Sequence, residues 1–128
     1  MPIYLAQFVV VEENRWLSGT APFPVVRRNQ DHRIATQLFA ASDAEAAFRR
    51  ASAMVGGFSD SHNDGPGDQT NFRCAGLHDL AEVLIAERSL VEQLEEPFGV
   101  DVGRVDVGDS IPVVRARSAL SLFTEKTG

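Results

Sequence analysis

The stretch from Arg33 to Gly57 constrains the fold more than any other part of the chain. Ile34, Thr36, Leu38 and Ala40 alternate with Arg33, Ala35, Gln37 and Phe39, the period of a strand over 33–41. Ser42 with Glu45 then reads as a capping box, and Ala44, Ala47, Phe48, Ala51, Met54 and Val55 recur at helical spacing. Gly56-Gly57 stops that helix, because glycine accepts the left-handed backbone a helix terminus asks for. A strand leading directly into an amphipathic helix of about 43–55 needs a sheet for the helix to lie on.

The sheet's other strands are sought on either side. Ile3 to Glu13 is apolar on both sides of its alternation, which suits a central strand covered on both faces. Asn71 to Ala75 reads as a short strand with Phe72 and Cys74 facing one way. From Asp79 the spacing of Leu80, Val83, Leu84, Leu90, Val91 and Leu94 turns helical and predicts one or two helices over 79–97, with Asp79 as N-cap and Pro97 as the stop. Val100 to Gly108 repeats Val-Asp-Val-Gly and reads as a small hairpin turning at Gly103-Arg104. Ile111 to Arg117 reads as an edge strand, and the tail from about 124 as frayed. Two connections remain: a long loop 14–31 holding Trp16 and Pro22-Phe23-Pro24, and a solvated loop 59–70 without an apolar side chain. The expected fold is α+β, a single domain over 1–128 with an antiparallel-rich sheet of three to five strands.

Composition narrows the class. With 128 residues, 44% hydrophobic and 23% charged, the chain is neither disordered, collagenous nor coiled-coil. A single cysteine excludes an internal disulfide and a thiolate zinc site. No apolar run approaches the roughly 18 residues of a membrane span, and none resembles a secretory signal, so a cytoplasmic location away from membranes is expected. Residues 1–60 are neutral, with six acids and six bases, whereas residues 61–128 hold twelve acids against six bases. The acidic stretch 79–109 would repel a phosphate backbone, which argues against nucleic acid and toward a basic protein partner or a plain solvated face.

Tyr4-Leu5-Ala6-Gln7-Phe8, the helix after Ala40-Ala41-Ser42, and Asn71-Phe72-Arg73-Cys74-Ala75-Gly76-Leu77-His78-Asp79-Leu80-Ala81-Glu82-Val83 carry a family likeness. Over residues 3–85 the chain resembles the bacterial domain-of-unknown-function family 4288, whose aromatic strand runs into Gly-x-x-Asp-Leu-x-Glu, matched here by Gly76, Asp79, Leu80 and Glu82. The loop holding Trp16 and everything after about residue 97 depart from that pattern. The resemblance implies a small α+β domain and brings no activity with it.

Each candidate site also has a plainer reading. Trp16, Arg27, Arg28, His32 and Arg33 form a basic and aromatic cluster able to hold a phosphate or carboxylate, or to meet an acidic surface. Surface arginines near a loop end are the plainer account. Asp60, His62 and Asp64 loosely echo a metal loop, although His62 sits where a hard cation wants oxygen and Asn71 cannot supply the closing bidentate carboxylate. Cys74 reads as a buried, inert thiol, and His78-Asp79 as the edge of a helix cap. No nucleophile elbow, phosphate-cradling loop or dinucleotide fingerprint is present. No catalytic residue and no cofactor are therefore assigned. The expectation is a non-catalytic interaction or accessory module, of immunity or regulatory type, whose partner is a protein or a second copy. A small enzyme or ligand-binding domain acting on an anionic small molecule is the alternative.

Overall fold

The computed structural model describes residues 2–19, 22–65, 67–83, 99–108 and 110–124, and for Asp64 and Gly65 the backbone only. Three strands of 16 residues each, β1 (Ile3–Ser18), β2 (Val25–Ala40) and β4 (Asp68–Val83), make the body of an antiparallel sheet. The short β3 (Asp60–Gly65) and β5 (Val100–Gly108) flank them, in the order β3-β4-β1-β2-β5. Helix α1 (Ala44–Met54) continues as a 3-10 turn over Val55–Phe58. Two further 3-10 turns, Arg117–Ala119 and Ser121–Phe123, follow β5. The coarse expectation of a sheet with one main helix is met, but the molecule is mostly sheet.

One face of the sheet carries the core. Tyr4, Ala6, Phe8 and Val10 of β1 meet Phe39 and Ala35 of β2 and Leu77 and Leu80 of β4 beneath Ala47, Ala51 and Met54 of α1. The two helix alanines let the backbone approach the sheet closely. Each large buried side chain contributes about 1.5–3 kcal/mol by leaving water. Leu120 closes this core from the 3-10 turns and is fully buried.

The helix is capped one residue later than the sequence implied. Asp43, extended at φ −157°, accepts the Ala46 N–H through Oδ1 at 2.8 Å, so Ser42 is not the cap. Glu45 pairs instead with Arg117, whose guanidinium lies 3.8 Å from the centre of the Phe123 ring.

Several expected connections are ordered strands. Segment 14–31 is no long loop: Glu12 to Ser18 pairs residue by residue with Val25 to Asp31. Segment 59–70 is likewise a hairpin, with Asp60, Ser61, His62 and Asn63 opposite Phe72, Asn71, Thr70 and Gln69. Length without a strand pattern in 14–31 and polarity in 59–70 suggest loops, but a ladder is made by backbone groups, and a strand with no cover needs no regular apolar face.

Asp79 to Val83 is the end of β4, paired with Ile3 to Gln7, not the start of a helix. The rest of the helices expected over 79–97, from residue 84 onward, lies outside the described residues. Val100 to Gly108 is one strand along β2 rather than a hairpin, with an irregularity between Thr36 and Gln37 that leaves Val102 without an opposite residue. Ile111 to Ala116 is not a strand. It runs beside β4, where the Arg115 N–H donates to the Leu77 carbonyl at 2.9 Å and Arg115 Nη1 to the His78 carbonyl at 2.7 Å. Of the tail expected to fray, residues 125–128 lie outside the described residues. Among the described residues no helix is long and apolar enough to cross a membrane.

Candidate functional site

Sheet alternation decides where each candidate residue points. On β2, Arg27 and Arg33 project to the side that α1 covers further along, whereas Arg28 and His32 project to the other. The five-residue cluster is therefore split between two faces. Trp16 and Arg27 stand directly opposite one another at the far end of the hairpin. His32 is buried, with Nδ1 at 3.3 Å from the Gly108 carbonyl.

Arg33 is already engaged. Its Nη2 donates to Glu12 Oε2 at 2.9 Å, and its Nε lies 2.7 Å from Asp106 Oδ1 as an ion pair without hydrogen-bond alignment. The guanidinium also sits 5.7 Å from the centre of the Phe72 ring. Arg33 thus helps floor a cleft of about 390 Å³ beyond the end of α1, lined further by Val10, Phe58, His62, Phe72 and Arg104. His62 Nε2 is 2.9 Å from Asp60 Oδ2. The cleft joins Arg33 to Asp60 and His62, two groups that the sequence placed in separate proposals. Its charges nearly cancel, since Glu12 and Asp106 face Arg33 and Asp60 faces His62.

The side chain of Asp64 lies outside the described residues, and among those residues no three His, Cys, Asp or Glu side chains group as metal ligands do. Cys74 is half-buried, and burial raises its thiol pKa, outweighing the lowering effect of a backbone hydrogen bond with Gly76, so the thiolate is disfavoured. Tyr4 is raised for the same first reason, with Glu82 and Asp43 adding to it. For Asp79, burial opposes the charge, yet hydrogen bonds from the Ser121 Oγ and N–H and from the Leu80 N–H, with Arg115 nearby, outweigh it and lower the pKa. Asp79 thus ties the C-terminal turns to β4.

On the face away from α1, the far end of the sheet has a second feature. Arg15 of β1 lies directly between Arg28 of β2 and Gln69 of β4, and in the next row Glu13 lies between Gln30 and Asn71. These six residues line a shallow hollow of about 430 Å³. Glu13 is committed to Arg73 Nε at 3.0 Å and Gln30 Nε2 at 3.3 Å. Neither Arg15 nor Arg28 has a carboxylate partner among the described residues. Arg15 was missed because the pairing Arg15 to Arg28 becomes visible only once 14–31 is folded as a hairpin.

Around these basic residues the hairpin end also exposes apolar groups, with Phe23 85% and Val25 54% accessible and Leu17 and Val26 each 43%. Compared with family models, curated proteins and solved structures, the chain finds no match.

Proposed function

We propose that this protein is a non-catalytic interaction module of accessory or regulatory type, working in the cytoplasm, which docks an acid-bearing protein through the far end of the β1–β2 hairpin. The observation that carries this reading is the company kept there: exposed Leu17 and Val26 beside Arg15 and Arg28 on one face and exposed Val25 beside Arg27 on the other, none of the three arginines having a carboxylate partner among the described residues. Apolar area with unspent guanidinium donors is the make-up of an interface centre rather than of an ordinary solvated edge. Trp16, partly buried beside Arg27, supplies the rigid aromatic anchor. The resemblance of residues 3–85 to family 4288 belongs to the same proposal.

The cleft favours a second reading, a small anionic ligand reaching Arg104 over the Phe72 ring. Its nearly balanced charge makes it the weaker candidate.

The test is affinity capture from the source cells with the wild-type chain and with a Trp16→Ala/Arg27→Gln variant, both verified by circular dichroism. A partner held by the wild type and lost from the folded variant is the expected result. Equal retention by both would overturn the docking surface, and a captured second copy would make the protein its own partner.

A further inference from the structure

We infer that the row Arg28–Arg15–Gln69 is a receptor for a dianionic phosphate group. This deepens the docking proposal by naming the chemistry that the far end recognises, and it rests on that reading.

The argument begins with a cost. Arg15 and Arg28 are direct partners across adjacent antiparallel strands, where Cβ atoms stand about 4.5–5.5 Å apart and like charges destabilise the pair. Ordinarily a neighbouring carboxylate relieves such a contact. Here the one carboxylate in the hollow, Glu13, is taken by Arg73, so its charge is already offset. The hollow therefore keeps two uncompensated positive charges.

The donors around it also fit. In register, Gln69 extends the row on the side of Arg15 away from Arg28, and Gln30 and Asn71 flank Glu13 in the row behind. Two guanidinium groups and side-chain amides converge on one shallow hollow of about 430 Å³, large enough for a phosphate. Guanidinium forks match the oxygen geometry of phosphate, and two of them match its charge of nearly −2. A phosphodiester carries a single charge per group and would leave the pair half-compensated. Free phosphate and a phosphorylated side chain of a partner present the same group, so either can occupy the row.

The strands that hold the row are cross-tied at this point. Thr70 Oγ1 donates to Asn14 Oδ1 at 3.0 Å, tying β4 to β1 beside Gln69 and Arg15, and β1 and β2 remain paired to Ser18 and Val25. Preorganisation of this kind lowers the entropy lost on binding.

Trp16 follows Arg15 but stands opposite Arg27 on the other face of the hairpin, so binding at the row is read directly, as heat. The test titrates inorganic phosphate into the full chain at constant ionic strength, with chloride and acetate as controls, and follows the heat of binding by calorimetry together with the melting temperature. The expected result is a saturable change with phosphate, absent with chloride, and weakened at least tenfold in Arg15→Gln and in Arg28→Gln. In phosphate-free, low-salt buffer both variants should melt at or above the wild-type temperature, because each removes a like-charge contact.

No saturable change, or the same change in the variants, overturns the inference. So does a lowered melting temperature of both variants without phosphate, which would make the pair structural. If phosphate does not bind but Arg28→Gln still loses the captured partner, docking stands and the row reads the partner's carboxylates. If phosphate binds while the hairpin variants keep every partner, the phosphate site stands and docking at this end falls.

Discussion

The two halves of the same three strands make an instructive contrast. Residues 3–11 of β1 and 32–40 of β2 are mostly buried or half-buried, with Tyr4, Phe8 and Phe39 fully enclosed. Residues 12–18 and 25–31 continue the identical ladder without a break in register, yet Val25 to Gln30 are all exposed. Backbone hydrogen bonding is common to both halves, and what differs is cover. The covered half derives its stability from apolar burial. The uncovered half holds together by its ladder and by polar pairs such as Arg73–Glu13 and Thr70–Asn14, and leaves side chains free for something outside.

That contrast breaks most sharply at Phe8. Phe8→Ala removes a fully buried ring that lies 4.8 Å from the centre of the Phe58 ring, and should cost about 3–5 kcal/mol in denaturant unfolding. A loss below 1 kcal/mol would mean that the helix-covered core is not the seat of stability. An intermediate effect belongs to Asp79, whose folded pKa lies below its ordinary value. The hydrogen bonds from Ser121 to its carboxylate therefore contribute stability above the unfolded pKa, near 3.9, and that contribution disappears as pH falls through the folded value. Partly exposed as it is, the group is worth about 1 kcal/mol. Asp79→Asn should flatten the acid limb of the stability–pH curve below about pH 4 and leave its neutral slope unchanged. At the far end, Val26→Thr should change stability by no more than about 0.5 kcal/mol. A larger loss there, measured by the same unfolding assay, would show that the uncovered half is part of the core after all.

Reading the sequence succeeded where local pattern and final environment agree. The strand expected over 33–41 lies within β2 as far as Ala40, and the helix expected over 43–55 is α1 with its 3-10 extension. It failed where pattern and environment part. Leu80 and Val83, spaced by three as on a helix, lie on opposite faces of β4, against Ala6 and Ile3; upstream, Cys74, Leu77 and Leu80 carry the same spacing. In the structure those three share one face of a strand, because register shifts between Gln7 and Phe8 and between Val9 and Val10 each add a residue to β4. Gly76, at φ +146°, sits at the second of these, and a Cβ there would come within 2.6 Å of Val114 Cγ1. Two bulges converted a period of two into an apparent period of three. Of the candidate residues, Arg28 and Trp16 fall where an interface is proposed, but Arg15 was invisible without the hairpin register, and His32 and Arg33 are spent inside the fold.

The central position of β1 has a consequence for how the sheet is assembled. Its hairpin with β2 and the helix that follows can form from residues 3–54, a local unit. The other side of β1 must wait for β4, whose Arg73 meets Glu13 across a separation of 60 residues. Until that segment arrives, a long apolar strand presents an open row of amide and carbonyl groups, and closing the intervening chain sets the slow step. The strand that ends up between two long neighbours thus passes, during synthesis, through a stage open to pairing with the wrong one.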